Sequence, residues 1–221
     1  MYGEHGKIGL IVPSNNTVVE QEFRRILPEG IASYATRMRN VTSDVEDLEA
    51  MTAHARRAAD ELATAEVHVV AFACTAGSLL HGVDWEQRLR EDLQEAAGGI
   101  PCVTTSGAVM EAVARLGLRR LVVGTPYVEA LNRAERRFFE ARGIEVAEIR
   151  GLGIRRSVDI GKCYPERALE LALGLPHADA EGIFISCTNF RTIDILPELE
   201  RRTGKPAISS KIGRASCRER V

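Results

Sequence analysis

The chain repeats itself, and this constrains its fold more than any other feature. Pro13 follows one apolar run and Pro126 another, and the two prolines lie 113 residues apart. Cys74 and Cys187 are separated by the same 113 residues. Their surroundings agree: Val70-Ala71-Phe72-Ala73-Cys74-Thr75 matches Ile183-Phe184-Ile185-Ser186-Cys187-Thr188. A third pair, Pro101-Cys102-Val103-Thr104-Thr105 and Pro206-Ala207-Ile208-Ser209-Ser210, is offset by 105. Three matched elements in one order indicate internal duplication.

Within each unit, short apolar runs alternate with helix-period stretches. The first unit has extended runs at 8–12, 31–36 and 67–73, and a short one around Val103. A helix is expected to begin near Thr17. Ser43 and Glu46 form an S-x-x-E capping box. Leu48, Met51, Ala55, Ala58 and Leu62 follow at helical spacing, which predicts one helix. The continuous apolar run 67–73 suits a strand covered on both faces. Ser106 is placed to cap a helix carrying Val109, Met110, Val113 and Leu116. In the second unit, runs at 121–124, 144–149, 183–186 and 206–210 alternate with helices over 129–142, closed by Gly143, and near 166–173. The fold class is therefore α/β. Two pseudo-symmetric halves, 1–115 and 116–210, each a roughly four-stranded parallel sheet flanked by helices, are expected to face each other across a cleft. Ligands of such sheets bind at the carboxyl ends of strands, where both cysteines fall.

Charge and composition exclude several functions. Lys+Arg (29) nearly balances Asp+Glu (31), and the net charge of -2 argues against nucleic acid or an anionic membrane as partner. With 45% hydrophobic residues, the chain can build a core and is not disordered. No apolar run approaches the roughly 20 residues of a spanning helix. Residues 1–7 are polar and unlike a signal peptide. A cytoplasmic protein is expected. The cysteines form no CxxC pair, and His5, His54, His68, His81 and His177 are scattered without ligand spacing. No disulfide framework and no metal are expected.

Residues 211–221 read differently from the rest. Ile212-Gly213-Arg214-Ala215-Ser216-Cys217-Arg218-Glu219-Arg220-Val221 matches, residue for residue, the in-frame translation of a common sequencing adapter, whose preceding bases also complete the Lys211 codon. The segment holds four basic residues and one acid, net +3, so without it the formal charge moves from -2 to -5. It is expected to be foreign sequence standing in place of a native C-terminal helix. Genomic sequence running unbroken through this codon would overturn that expectation.

A cysteine at a strand end, followed by small hydroxyl residues that open a helix, has a chemical use. Free N–H groups and the positive helix end favour a thiolate or a bound carboxylate. Cys74 precedes Thr75-Ala76-Gly77-Ser78, and Cys187 precedes Thr188-Asn189. Across a pseudo-twofold axis the two sulfurs would oppose one another. They could then exchange protons on opposite faces of a small substrate, or one could attack carbon while the other acts as acid or base. Cys102 and Cys163 lack this duplication and read as packing residues. The loop Pro13-Ser14-Asn15-Asn16-Thr17 suits carboxylate binding or plain helix capping. Tyr127, in the matching loop, suits an anion contact or half-buried packing. Arg37 and Arg39 could draw in an anion or be salt-bridged. The Asp and Glu runs on the helices read as solvated faces.

These motifs resemble the aspartate/glutamate racemase superfamily, and within it the maleate cis-trans isomerases. The likeness runs from Lys7 to Ser210. It is carried by Gly9-Leu10-Ile11-Val12-Pro13-Ser14-Asn15-Asn16, Thr36-Arg37-Met38-Arg39, Ala73-Cys74-Thr75-Ala76-Gly77-Ser78, Thr125-Pro126-Tyr127 and Ser186-Cys187-Thr188-Asn189. The resemblance implies that Cys74 adds to an alkene carbon of maleate, giving a succinyl-cysteine. The former double bond rotates, and fumarate leaves with Cys187 as acid or base. It implies that Asn16 and Tyr127 hold the substrate carboxylates, a small dicarboxylate as partner, no cofactor, and a homodimer or larger homo-oligomer; Ser14, Thr75, Ala76, Ser157 and Thr188 complete the candidate substrate-binding set. A family Asn falls near Ser157, whose shorter side chain departs from the pattern. The other readings are a two-cysteine aspartate/glutamate or hydantoin racemase, an arylmalonate-type decarboxylase, which keeps only the second cysteine, and a non-catalytic binding module.

Overall fold

Two four-stranded parallel sheets carry the fold in the computed structural model, which describes residues 2–211. The first half runs β1 (Gly6–Pro13), α1 (Val19–Ile26), β2 (Ile31–Met38), α2 (Val45–Thr52), α3 (Ala55–Ala63), β3 (Val69–Phe72), α4 (Thr75–Leu79), α5 (Val83–Ala96), β4 (Cys102–Thr104) and α6 (Thr105–Arg115). The second runs β5 (Arg120–Thr125), α7 (Glu129–Glu140), β6 (Glu145–Gly151), α8 (Ser157–Gly161), α9 (Pro165–Leu173), β7 (Gly182–Ile185), α10 (Leu196–Thr203) and β8 (Ala207–Ser209). The sheet orders are β2-β1-β3-β4 and β6-β5-β7-β8, so the sequence repeat reappears as topology. Ile11 pairs with Phe72, and its counterpart Gly124 pairs with Ile185.

The central strands are apolar because helices cover both faces of each sheet. Leu10, Ile11, Val70 and Phe72 are fully buried in one sheet, and Leu121, Val123, Ile183 and Phe184 in the other. Short parallel strands joined by helices bring every β-to-α turn to one end of each sheet. Those turns meet between the halves.

Local structure departs from the sequence reading at several places. The single helix expected over 48–62 is two, α2 and α3. The Ala53 and His54 N–H groups fold back to Glu49 and Met51, and this turn redirects the chain while keeping Met51 and Ala55 buried. The Ser43–Glu46 capping box does not form: the N-cap of α2 is Asp44, and the Ser43 hydroxyl instead meets Ser157 in the other half at 3.1 Å. Thr104, not Ser106, caps α6, accepting from the Gly107 N–H at 3.0 Å. Ser106 donates to the Ser78 hydroxyl at 2.5 Å. Gly143 ends α7 as expected. Its φ of +76° lets the Ile144 N–H reach back to the Phe139 carbonyl at 3.1 Å, a Schellman closure.

The halves are tied by buried polar contacts. Asn16 donates to Thr188 at 3.0 Å, Thr188 to the Ala73 carbonyl at 3.0 Å, and Thr75 to Ser210 at 2.9 Å. Glu22 accepts from the Thr192 N–H at 3.1 Å. Of the segment expected to be foreign, Lys211 alone lies within the described residues. It is buried, with its ammonium 3.1 Å from Glu22 and 3.2 Å from the Cys187 carbonyl.

Candidate active site

Cys74 lies two residues beyond β3 and Cys187 two beyond β7, so the two sheets deliver them to the same crevice. Cys74 is the N-cap of α4. Its sulfur accepts from the Gly77 N–H at 3.4 Å. The N–H groups of Thr75 and Ala76 fall in the first helical turn, which has no intrahelical acceptor for them. The expected helix does not open at Cys187. That residue sits in a left-handed turn, φ +88°, a conformation L side chains rarely adopt. Its N–H donates to the Ser210 hydroxyl at 2.9 Å, and its sulfur accepts from the Asn189 N–H at 3.3 Å. The Tyr127 side chain lines the same crevice and favours the ionised Cys187 sulfur.

Both thiols are more basic than free cysteine, which reverses the expected depressed pKa. Burial pushes Cys74 up to about 12, against a smaller downward pull from the Gly77 N–H, and a charge on Cys187 raises it further. Burial also raises Cys187, opposed by the Tyr127 hydroxyl, Lys211 and the Asn189 N–H. Burial raises Tyr127 well above its ordinary value. In this closed form both cysteines are neutral thiols, and ionising one disfavours ionising the other.

The crevice encloses a free volume of about 30 Å³, room for water but not for a four-carbon dicarboxylate. Among the described residues its lining contains no Lys, Arg, His, Asp or Glu. Cys74, Cys187 and Tyr127 are its ionisable groups. A dianion held here must therefore be held by N–H and O–H dipoles. A larger groove of about 420 Å³ lies elsewhere, lined by Glu86, Arg90, Cys102 and Arg142 among others. Cys102 belongs to that groove, and Cys163 bonds the Asp159 carbonyl at 3.5 Å.

Most of the expected binding residues converge on the crevice: Asn16, Thr75, Ala76, Tyr127, Ser157 and Thr188 all line it. Ser14 does not. It is exposed, and its hydroxyl is engaged with the Asn40 backbone at 3.0 and 3.2 Å. The Asn16 side-chain oxygen, Oδ1, accepts from the Val18 and Val19 N–H groups at the start of α1, so the capping role is real. Arg37 pairs with Glu20 and bonds the Ser14 and Asn16 carbonyls, bracing the loop. Ser157 faces Ser43 and Asn40, which also line the crevice and were not expected to. Asn40 stands just beyond β2, the same strand-end signal that located the cysteines. Asn189, another unanticipated lining residue, donates to the Ser157 carbonyl at 2.7 Å and accepts from the Thr17 N–H at 2.9 Å.

The Tyr127 turn depends on Gly151. A Cβ there would lie 2.3 Å from the Tyr127 carbonyl and 2.5 Å from the Asn132 amide. Gly151→Ala is expected to displace the turn, lower stability by about 1–3 kcal/mol, and weaken whatever Tyr127 contributes. Thermal unfolding beside a ligand titration checks this, and an unchanged melting temperature would contradict it.

Comparison with known proteins places these features in context. The sequence profile of the arylmalonate decarboxylase family matches residues 8–216. The chain is 28% identical over 219 residues to the maleate isomerase of Alcaligenes faecalis, covering 93% of this chain and 87% of that one. It is 31% identical over 209 residues to the arylmalonate decarboxylase of Bordetella bronchiseptica, covering 92% and 85%. Among solved structures, a maleate-bound cysteine-to-alanine variant of maleate isomerase from Pseudomonas putida S16 superposes with a TM-score of 0.89 at 26% identity, covering 93% and 87%. A cysteine-to-serine variant of Nocardia farcinica maleate cis-trans isomerase, carrying a covalent succinylcysteine intermediate, superposes with a TM-score of 0.90 at 26% identity, covering 93% and 88%.

Proposed function

The chain belongs to the arylmalonate decarboxylase family, and from that premise we propose that it isomerises maleate to fumarate. The observation that carries the reading is the pair of cysteines, one from each half, set in one crevice whose described lining holds no cation. The decarboxylase branch keeps only the second cysteine in the resemblance described above, so Cys74 favours the isomerase branch.

The chemistry uses groups of this chain. Maleate enters when the crevice opens, since the closed form is too small for it. Opening also hydrates Cys74, relieving the burial that opposes its deprotonation in the closed form, and lets its proton leave to solvent. As the crevice closes, the N–H groups of Thr75 and Ala76 and the hydroxyl and amide groups of Tyr127, Asn16, Ser157 and Thr188 hold the two carboxylates. The Cys74 thiolate forms a C–S bond to one alkene carbon, and the neighbouring carbon takes a proton from the Cys187 thiol. The product is a succinyl-Cys74 with Cys187 as thiolate. The central C–C bond, now single, rotates. Cys187 removes a proton from the carbon beside the C–S bond, that bond breaks, and fumarate is released with Cys74 again a thiolate. Atoms and charge balance at each step, with no redox change.

Proton NMR of maleate in heavy water, with Cys74→Ala as control, tests the reading. Fumarate is expected with the parent chain and not with the variant. Absence of fumarate together with deuterium exchange at Cα of aspartate, glutamate or a hydantoin would make the protein a racemase instead.

No helix among the described residues is long and apolar enough to cross a membrane. Cys74, Cys102, Cys163 and Cys187 are all free thiols, which suits a reducing compartment, and we infer a cytoplasmic protein. A homodimer or larger assembly, implied by the family likeness, is checked by sedimentation velocity.

A further inference from the structure

Glu135 was expected to be a solvated helix residue, yet it is fully buried on α7 behind the crevice. One carboxyl oxygen, Oε1, accepts from the Ser186 hydroxyl at 2.7 Å. The other, Oε2, is buried with no hydrogen-bond partner among the described residues. Ser186 immediately precedes Cys187 and its left-handed turn. A carboxylate with one hydrogen bond and no cation is poorly solvated in such a site, so the neutral acid is favoured. The two oxygens fit that form, with Oε1 as the carbonyl acceptor and Oε2 as the hydroxyl.

We propose that Glu135 is a positioning residue that works as a neutral carboxylic acid: it holds Ser186, and through Ser186 the Cys187 turn, while leaving the negative charge of the reaction to the cysteines. Burial pushes Glu135 up to about 8, with the Ser186 bond pulling the other way. Once ionised, it raises both Cys187 and Tyr127. Those are the titratable groups facing it, from the end of β7 and the β5–α7 turn. Helix α4, packed against α7, carries no ionisable residue from Thr75 to Leu79. On β6, the other element packed there, Arg150 pairs with Glu148 and Glu145 with Arg120. On α7 itself, Arg136 bonds the Val146 carbonyl and Arg133 pairs with Glu129. The neutral acid therefore permits a Cys187 thiolate, and the carboxylate opposes it.

The activity arm of the test rests on the isomerase reading, and the titration arm does not. Glu135→Gln keeps an acceptor for Ser186 and cannot ionise. Ultraviolet thiolate absorbance, taken as the difference against Cys187→Ala, is expected to show Cys187 ionising at lower pH in Glu135→Gln than in the parent. Maleate kcat/KM is expected to be similar for the two near pH 6. The two should diverge above about pH 8, where Glu135 ionises in the parent and the variant has no carboxyl to ionise. Glu135→Ala, which abandons Ser186, should lose activity at every pH, a loss that Gln avoids. Stability supplies a second measurement. The folded-state pKa lies above the unfolded one, so the parent loses stability as pH rises from about 4.3 to about 8. Glu135→Gln should gain in melting temperature over the parent across that window. Should Glu135→Gln fail to fold, Ser186→Ala cuts the same link and is expected to lower kcat severalfold with KM little changed. Superimposable Cys187 titrations in parent and Gln variant overturn the proposal, as does unchanged kcat in Ser186→Ala. A parent inert towards maleate, with the titration still shifted, overturns the isomerase reading alone.

Discussion

Replacing Cys74 by alanine is expected to lower kcat/KM for maleate by roughly ten-thousandfold or more. In the proposed reaction the bond that turns the alkene into a rotatable single bond is made by this sulfur, and no other group at the N-terminus of α4 can make it. Thr75 and Ser78 have hydroxyls, but these donate to Ser210 and to the Thr75 carbonyl. Cys187 sits on the opposite half, held by Tyr127 and the Asn189 N–H. The fold should tolerate the change. Alanine keeps the Cβ, and the lost contact is one weak N–H to sulfur bond at the cap, costing about 1 kcal/mol. Activity assays beside circular dichroism separate the two effects. A folded Cys74→Ala protein with parental activity would remove the nucleophile from this account.

Cys187→Ser is expected to behave differently. The first half-reaction draws a proton and the second needs a base in its place. A serine hydroxyl is a far weaker acid than a thiol, so the adduct carbon takes its proton from water instead, and the neutral serine left beside it is too weak a base to remove that proton again. Turnover should fall about a thousandfold, and intact-protein mass spectrometry should find the chain heavier by one maleic acid. The adduct should vanish in the Cys74→Ala, Cys187→Ser double variant. Serine fits the left-handed turn no worse than cysteine does, so a collapse of the fold is not expected. An unmodified single variant with full turnover would show that Cys187 takes no part in proton transfer.

The repeat made much of this architecture legible. Matched prolines and cysteines fixed which strands correspond, and the strand-end rule placed both thiols in one crevice. What the sequence hid were properties that depend on depth. A depressed thiol pKa follows from a helix N-terminus only where water remains nearby. Here burial overrides it at Cys74, and at Cys187 the helix is replaced by a turn. Glu135 was legible and overlooked. It shares the spacing of Leu131 and Phe138 on the buried face of α7, yet its charge suggested solvent. The Ser43–Ser157 contact was not legible, because a residue that satisfies a local capping pattern gave no sign of a partner 114 positions away. Ser14 failed for a related reason: its neighbour Asn16 turns inward while its own hydroxyl is taken by the Asn40 backbone.

The matching strand orders bear on how one site came to hold two unlike thiols. A single unit of this repeat, paired with its own copy across a twofold axis, would present two identical sulfurs to its ligand. Maleate has a twofold axis of its own through the double bond, so such a site would bind it in two equivalent ways and could not distinguish attacking group from proton donor. Joining the units in one chain freed each half to diverge. One cysteine now caps a helix, while the other is twisted out of the helical path and wired to a tyrosine. In the proposed reaction that inequality divides the labour of a nearly symmetric pocket, one thiol attacking carbon and the other moving the proton.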